Sequence, residues 1–127
     1  MAAGEIVHVE FPSGDADRAQ KFWSELFGWS FDASGMPNID YLAGMDYRVA
    51  RTGEQTTAAV FACQKHSAGA PVYYYTVDDI EAARAKIREL GGEAEEKMPV
   101  PKMGWFAACK DSEGNVFHLW QMDTSAA

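Results

Sequence analysis

Hydrophobic and polar positions along this chain follow two different periods, and the change from one to the other predicts the elements. The run EIVHVEF, residues 5–11, has the two-residue alternation of a half-buried strand. The segment after it has apolar residues at the helical spacing i, i+3, i+4, i+7, which predicts one buried stripe. These apolar residues are Ala19, Phe22, Trp23 and Leu26. Asp15 is suited to cap the start of this helix and Gly28 to end it.

The same pattern occurs a second time along the chain. Asp15 to Asp78 and Gly28 to Gly91 both span 63 positions. In the second copy Asp78 and Glu81 resemble a capping box at the start of a helix. The apolar stripe predicted for this helix consists of Ile80, Ala83, Ile87 and Leu90. The repeat therefore predicts two copies of one structural unit.

Strand-like alternation follows each predicted helix. The segments are WSFD, YLAG, DYRVAR and TTAAVFAC in the first half, and EAEEK, GWFAACK and NVFHLWQ in the second. Each half is thus predicted to be a β-α-β-β-β unit, the first over about residues 5–63 and the second over about 72–121, with a linker at 64–71. In the turn KDSEGNVF, Gly114 can take a positive φ. A chain of 127 residues is one ordinary domain, so both units share it.

Charge, apolar runs and cysteines narrow the class of protein. The net charge of -8 without a basic cluster argues against nucleic acid as a partner. No apolar run is long enough to cross a bilayer, and the first ten residues lack the features of a secretion signal, so we expect a cytoplasmic protein that is not bound to a membrane. Cys63 and Cys109 lie in apolar surroundings and are predicted to be reduced core residues.

Several segments together resemble one known family. FWSELFGW, YTVDDIEAARAKIRELGG, PVPKMGWFA and DSEGNVFHLWQ are similar to the glyoxalase/bleomycin resistance/dioxygenase superfamily, also called the vicinal oxygen chelate fold, and the resemblance runs over residues 5–121. It implies an α+β fold in which two tandem β-α-β-β-β units form a half-open, cupped eight-stranded sheet with the helices outside. It also implies that the cup holds a small molecule, usually in a homodimer.

The resemblance directs attention to four positions, because metal-dependent members take ligands from the first and last strands of each unit. His8 and His118 match two of these positions. Glu10, on the same strand face as His8, is a third candidate ligand. The remaining two positions hold side chains that cannot bind a metal, which are Pro71 or Val72 and Val60, Phe61 or Ala62. His8, Glu10 and His118 could therefore hold zinc, nickel, iron or manganese, or they could act without metal as hydrogen-bonding or acid/base groups.

Aromatic residues complete the predicted ligand site. Tyr74, Trp105 and Trp120 are expected to line the cup, whereas Phe117 and Leu119 should face the helices by the two-residue period.

Three functions remain open from the sequence. The first is a small-molecule-binding protein without a complete metal site and without a cofactor, for which the acidic composition favours a cationic or amine-bearing ligand. The second is a divalent-metal enzyme, glyoxalase-like, acting as a lyase, isomerase or dioxygenase. The third is a homodimeric interaction subunit with a vestigial cup.

Overall fold

The structure, a computed structural model, describes residues 3–32, 46–62 and 70–127. The chain folds into two compact units. We call Val7–Pro71 the N-terminal unit, and Met1–Ile6 with Val72–Ala127 the C-terminal unit. The predicted strand YLAG, Cys63 and most of the predicted linker lie outside the described residues.

The N-terminal unit is a helix and a mixed sheet. Its elements are β1 (Ile6–Ser13), α1 (Ala16–Phe27), β2 (Phe31–Asp32), β3 (Asp46–Arg51) and β4 (Thr57–Ala62). The strand order is β2-β3-β4-β1. The first strand β1 pairs in parallel with the last strand β4, while β3 pairs antiparallel with β2 and β4. The described residues of this half therefore form the β-α-β-β-β unit that the sequence predicts.

The C-terminal unit repeats this topology. Its elements are β5 (Val72–Thr76), α2 (Ile80–Glu89), β6 (Glu93–Ala94), β7 (Met98–Val100), β8 (Gly104–Lys110) and β9 (Val116–Met122). The order is β5-β9-β8-β6, and again the first and last strands pair in parallel. The three-residue strand β7, which pairs with β8, was not predicted because its central Pro99 favoured a loop. Neither helix of the described ranges is long and apolar enough to cross a membrane.

The start of the chain belongs to the C-terminal unit because its backbone bonds to β5. The Gly4 N–H donates to the Thr76 carbonyl at 2.9 Å, and the Thr76 N–H donates to the Glu5 carbonyl at 3.0 Å. The chain thus enters along the second unit before it forms most of β1.

A compact core lies beneath α2 in the C-terminal unit. Its buried members are Ile80, Ala107, Cys109 and Leu119. Partly buried side chains packed against them are Val77, Ala83, Ile87, Ala94, Trp105 and Phe117. The prediction that Phe117 and Leu119 face the helix is confirmed. Cys109 is a free, buried thiol, as predicted, and burial raises its pKa to about 11, so it stays protonated at neutral pH.

The stripe predicted for α1 is wrong for two of its four residues. Phe22 and Leu26 are 59% and 56% exposed, whereas Ala19 and Trp23 are partly buried. The helix contacts the sheet through Trp23, whose ring stacks on Phe11 of β1 at a centroid distance of 4.7 Å. Gln20 contributes as well, accepting a hydrogen bond from Arg48 of β3 at 2.8 Å. These contacts orient α1 so that Phe22 and Leu26 stay exposed to solvent.

The helix termini confirm one predicted cap and correct another. In α1 the Asp15 carboxylate accepts a hydrogen bond from the Arg18 N–H, and Gly28 ends the helix with a φ of 75°. In α2 the N-cap is Asp79 rather than Asp78. Glu81 does not complete a capping box with Asp78; it pairs with Arg84 at 2.8 Å. Either neighbouring aspartate has the right chemistry, and the path of the chain from β5 into α2 selects the second.

Two apolar residues of the predicted α2 stripe differ sharply in burial and should contribute differently to the free energy of unfolding. Ile80 is 1% exposed, whereas Leu90 is 67% exposed. We expect Ile80→Ala to lower the free energy of unfolding by about 2–5 kcal/mol, because it opens a cavity in the core. Leu90→Ala, the matched control, should cost less than about 0.5–1 kcal/mol. Urea denaturation of both variants tests this, and equal losses would contradict the helix orientation.

Candidate functional site

The two predicted site residues of β1 lie on one face of the N-terminal sheet. His8 pairs with Thr57 of β4, and Glu10 pairs with Ala59. Side chains of paired residues share a face, and residues one position away point to the other. Phe11, which stacks against α1, therefore marks the covered face, and His8 and Glu10 lie on the opposite one.

Hydrogen bonds join these residues through Tyr47 of β3. His8 Nδ1 lies 2.6 Å from Thr57 Oγ1, and His8 Nε2 lies 2.8 Å from the Tyr47 hydroxyl. The Tyr47 hydroxyl donates to Glu10 Oε2 at 2.7 Å. Glu10 is only 3% exposed, so this bond stabilises a carboxyl group that has left water. We call His8, Glu10, Tyr47 and Thr57 the polar network.

The direction of donation fixes the tautomer of His8. Because the single hydroxyl proton of Tyr47 goes to Glu10, its oxygen accepts from His8, and Nε2 carries the imidazole proton. Nδ1 then accepts the hydroxyl proton of Thr57. The donors thus run in one direction, from Thr57 through His8 and Tyr47 to Glu10.

Burial keeps the imidazole of this network neutral. Loss of water around His8 lowers its pKa from 6.5 to about 4, and a hydrogen bond with the backbone of Thr57 offsets only part of that effect. A neutral ring is also what the assigned tautomer requires. At pH 7 His8 is therefore a neutral hydrogen-bonding group and not a cation.

Sequence reasoning missed Tyr47 and Thr57. They lie 39 and 49 positions from His8 along the chain. Their strands were predicted, as DYRVAR and TTAAVFAC, but the register that brings them to His8 was not. The one available signal was the two-residue period, which puts Tyr47 on one face of its strand together with Val49.

The predicted site residues of the C-terminal unit form a different environment. Tyr74 and His118 are paired across β5 and β9, with ring centroids 4.7 Å apart in an edge arrangement. Phe106 stacks on His118 at 5.9 Å and is paired with Trp120 across β8 and β9. Tyr74, Phe106 and His118 are buried. We call Tyr74, Phe106, His118 and Trp120 the aromatic face.

The structure places Trp105 apart from that face. Trp105 precedes Phe106 in β8 and packs against the core beneath α2. Its indole N–H donates to Asp123 at 3.0 Å, and Lys97 Nζ lies 4.1 Å from the ring centroid. Tyr74, Trp120 and His118 are thus brought together, whereas Trp105 lies on the helix side of the same sheet.

The predicted metal ligands do not fit a metal centre. Across residues 3–32, 46–62 and 70–127, no three His, Cys, Asp or Glu side chains are grouped closely enough to hold an ion. Both ring nitrogens of His8 are bonded to hydroxyl groups, so a metal would have to displace Thr57 or Tyr47. His118 lies among aromatic rings in the other unit.

Comparison with known families identifies the class of protein. The family model of the Glyoxalase/Bleomycin resistance protein/Dioxygenase superfamily matches residues 5–119, and the chain belongs to this superfamily. The resemblance seen in the sequence and the predicted α+β fold class are both confirmed.

Curated relatives and solved structures are similar at low identity. "Putative glyoxylase CFP32" of Mycobacterium bovis is 29% identical over 91% of this chain, and the chain spans only 43% of that protein. A "Glyoxylase-like domain-containing protein" of Didymella fabae is 26% identical over 88% of this chain and 89% of its own length.

Among solved structures, a hypothetical protein from Bacillus halodurans has a TM-score of 0.75 at 13% identity and covers 99% of both chains. Methylmalonyl-CoA epimerase from Mycobacterium tuberculosis has a TM-score of 0.71 at 15% identity, covering 97% of this chain and 93% of its own. A methylmalonyl-CoA epimerase in complex with methylmalonyl-CoA and NH4+ has a TM-score of 0.69 at 14% identity, covering 99% of both chains. These structures share the fold.

The lowered pKa of His8 predicts a loss of stability in acid. The unfolded chain binds a proton at this histidine below pH 6.5, whereas the folded chain resists it until about pH 4. The unfolded state therefore binds more protons within this window, and the stability that His8 contributes falls as the pH drops through it. Urea denaturation at intervals from pH 7 to 4 should show the wild type losing stability relative to His8→Gln. A constant difference between the two proteins would contradict the burial of a neutral His8.

Proposed function

We propose that this protein binds a small molecule, that the polar network and the aromatic face are each a candidate contact surface within their own unit, and that binding does not require a metal ion held by His8, Glu10 and His118. The observation that carries this proposal is the engagement of both His8 nitrogens by the hydroxyls of Tyr47 and Thr57. A cytoplasmic location is part of the same proposal, since a free thiol such as Cys109 is usual in a reducing compartment.

Membership of the superfamily supports a small-molecule ligand. Its name joins enzymes with a drug-resistance protein, and similar solved structures include an epimerase bound to a coenzyme A thioester. In the C-terminal unit the partly exposed Trp120 offers stacking surface, and in the N-terminal unit the polar network offers directed hydrogen bonds. Both kinds of group are common in small-molecule sites.

Catalysis is the second candidate, and one observation favours it. Tyr47 places a phenolic hydroxyl between a neutral imidazole and a buried carboxylate, at 2.8 and 2.7 Å. Groups hydrogen-bonded at these distances can pass a proton from one to another, and imidazole, phenol and carboxyl groups are suited to acid/base chemistry on a ligand without a metal. An isomerase-type reaction, which moves a proton within one substrate, would suit such a site.

The test combines metal content with ligand binding. Elemental analysis of untagged protein should find no stoichiometric metal in the wild type, His8→Ala or His118→Ala. A thermal-shift screen of metabolite-sized compounds should give hits whose affinity falls about tenfold in Tyr47→Phe, the loss expected for a hydrogen bond to a polar group. Tyr73→Phe, at a residue 42% exposed, is the matched control.

Two results would contradict this proposal. The first is a stoichiometric metal that disappears in both histidine variants, which would establish the divalent-metal alternative. The second is a set of hits that Tyr47→Phe binds as tightly as the wild type. Conversion of a hit to a new product, lost in Tyr47→Phe, would establish the catalytic role.

We also propose that the chain forms a homodimer through the exposed flank of α1. Phe22 and Leu26, one turn apart on this helix, are 59% and 56% exposed, and Phe27 in the last turn is 58% exposed. Exposed apolar side chains that adjoin one another often mark an interaction surface. Among the three functions that the sequence leaves open, the homodimeric interaction subunit would require this surface and no ligand site.

Sedimentation of variants tests the dimer. Leu26→Glu should give a monomer, because a carboxylate would be buried without a partner. Leu90→Glu, which changes an equally apolar residue that is 67% exposed at the C-cap of α2, should leave the association state unchanged. A monomeric wild type, or a dimer that persists in Leu26→Glu, would refute this interface.

A further inference from the structure

A second apolar surface lies on the C-terminal sheet, on the face opposite α2. In one row of cross-strand neighbours, Met98 pairs with Phe106 and Phe106 with Trp120. In the next row, Val100 pairs with Gly104 and Gly104 with Met122. Paired residues share a face, so both rows point to the side away from the helix.

Gly104 gives this surface its shape. A β carbon at this position would lie 2.7 and 2.8 Å from atoms Cζ2 and Cη2 of Trp120 and would also meet the Gln121 carbonyl. The Trp120 indole therefore reaches over Gly104, where another residue would have a side chain. The missing side chain makes the ring of Trp120 part of both rows.

Exposure and burial divide the surface into a floor and two sides. Phe106 is 4% exposed and forms the floor, and Trp120 is partly exposed. Met98 and Met122 are 40% and 63% exposed. Methionine is flexible and its sulfur makes favourable contacts with aromatic rings, so two exposed methionines beside an indole can adapt to a flat ligand.

The surface carries no charge at the described positions of its two rows. Two charged residues that flank these rows, Lys97 and Asp123, both contact Trp105 on the other side of the sheet. An ionised group placed on the surface would therefore lose water without gaining a partner, which is unfavourable. The surface favours an uncharged ligand.

The size of the surface favours a small molecule over a protein. A stable protein interface buries about 800 Å² on each partner and involves about 20–30 residues. The five side chains and one glycine of the two rows supply far less. They are nevertheless enough to contact one aromatic ring system on one side.

We infer that Met98, Phe106, Trp120 and Met122, with Gly104 beneath the indole, form a binding site for an uncharged, flat aromatic ring of a small ligand. This inference rests on the proposed function, because it names the chemical class of one part of the ligand. The methionines flank the ring, and Trp120 stacks on it.

A pair of dyes that differ in one group tests the site. Phenylnaphthylamine is uncharged and carries a flat naphthalene ring system, and anilinonaphthalene sulfonate has the same rings with an added sulfonate. The uncharged dye should bind saturably, with increased dye emission, and at least about tenfold more tightly than the sulfonate. The double variant Met98→Gln/Met122→Gln should weaken its binding by about tenfold or more.

Met103→Gln is the matched control. Met103 is 43% exposed, close to the value for Met98, but it lies in the turn between β7 and β8. Its variant should bind the dye within about twofold of wild type. Gly104→Ala should also lose dye binding, because the added methyl group displaces Trp120. If Gly104→Ala does not fold, the surface methionine variants still test the site.

Three results would overturn the inference. They are no saturable binding of the uncharged dye, equal binding of the two dyes, and equal effects of the double variant and Met103→Gln. Compounds whose affinity falls in Tyr47→Phe but not in the methionine variants would leave the proposed function intact and remove only this site. If only the proposed function is wrong, the methionine variants will still abolish dye binding. Tyr47→Phe will then bind every screened compound as tightly as the wild type.

Discussion

The parallel pairing of the first and last strands within each unit is the constraint on which both candidate surfaces depend. It places His8 beside Thr57 in the N-terminal unit and Tyr74 beside His118 in the C-terminal unit. A parallel pair cannot be closed by a tight turn and needs a long connection, here a helix and further strands. Most residues of each unit therefore belong to the connection between its two paired strands.

The helix of each unit covers one side of its sheet, and the candidate site residues lie on the other side. In the C-terminal unit Leu119 and Cys109 contact α2, while their neighbours His118 and Ala108 face away from it. In the N-terminal unit Phe11 contacts α1, while Glu10 faces away. The same pleat that builds the core therefore selects which residues reach a ligand.

One topology carries two different kinds of surface. The N-terminal unit holds a buried carboxylate through Tyr47, and a chain of hydroxyl and imidazole groups offsets the cost of removing Glu10 from water. The C-terminal unit surrounds His118 with aromatic rings. Duplication of a unit preserves its strand pairing, and the side chains on the open faces are free to diverge.

Local patterns in the sequence determined the two helices and most of the described strands, with β7 the exception, because these depend on periods of two and 3.6 residues. They also determined the positive φ of 75° at Gly28 and 84° at Gly114 and the shared face of His8 and Glu10. Only the tertiary structure decided that Asp79 caps α2, that Phe22 and Leu26 stay exposed, and that Tyr47 links His8 to Glu10. Those features depend on how strands 37 or more positions apart align and how a helix rotates on its sheet. No local period encodes that register.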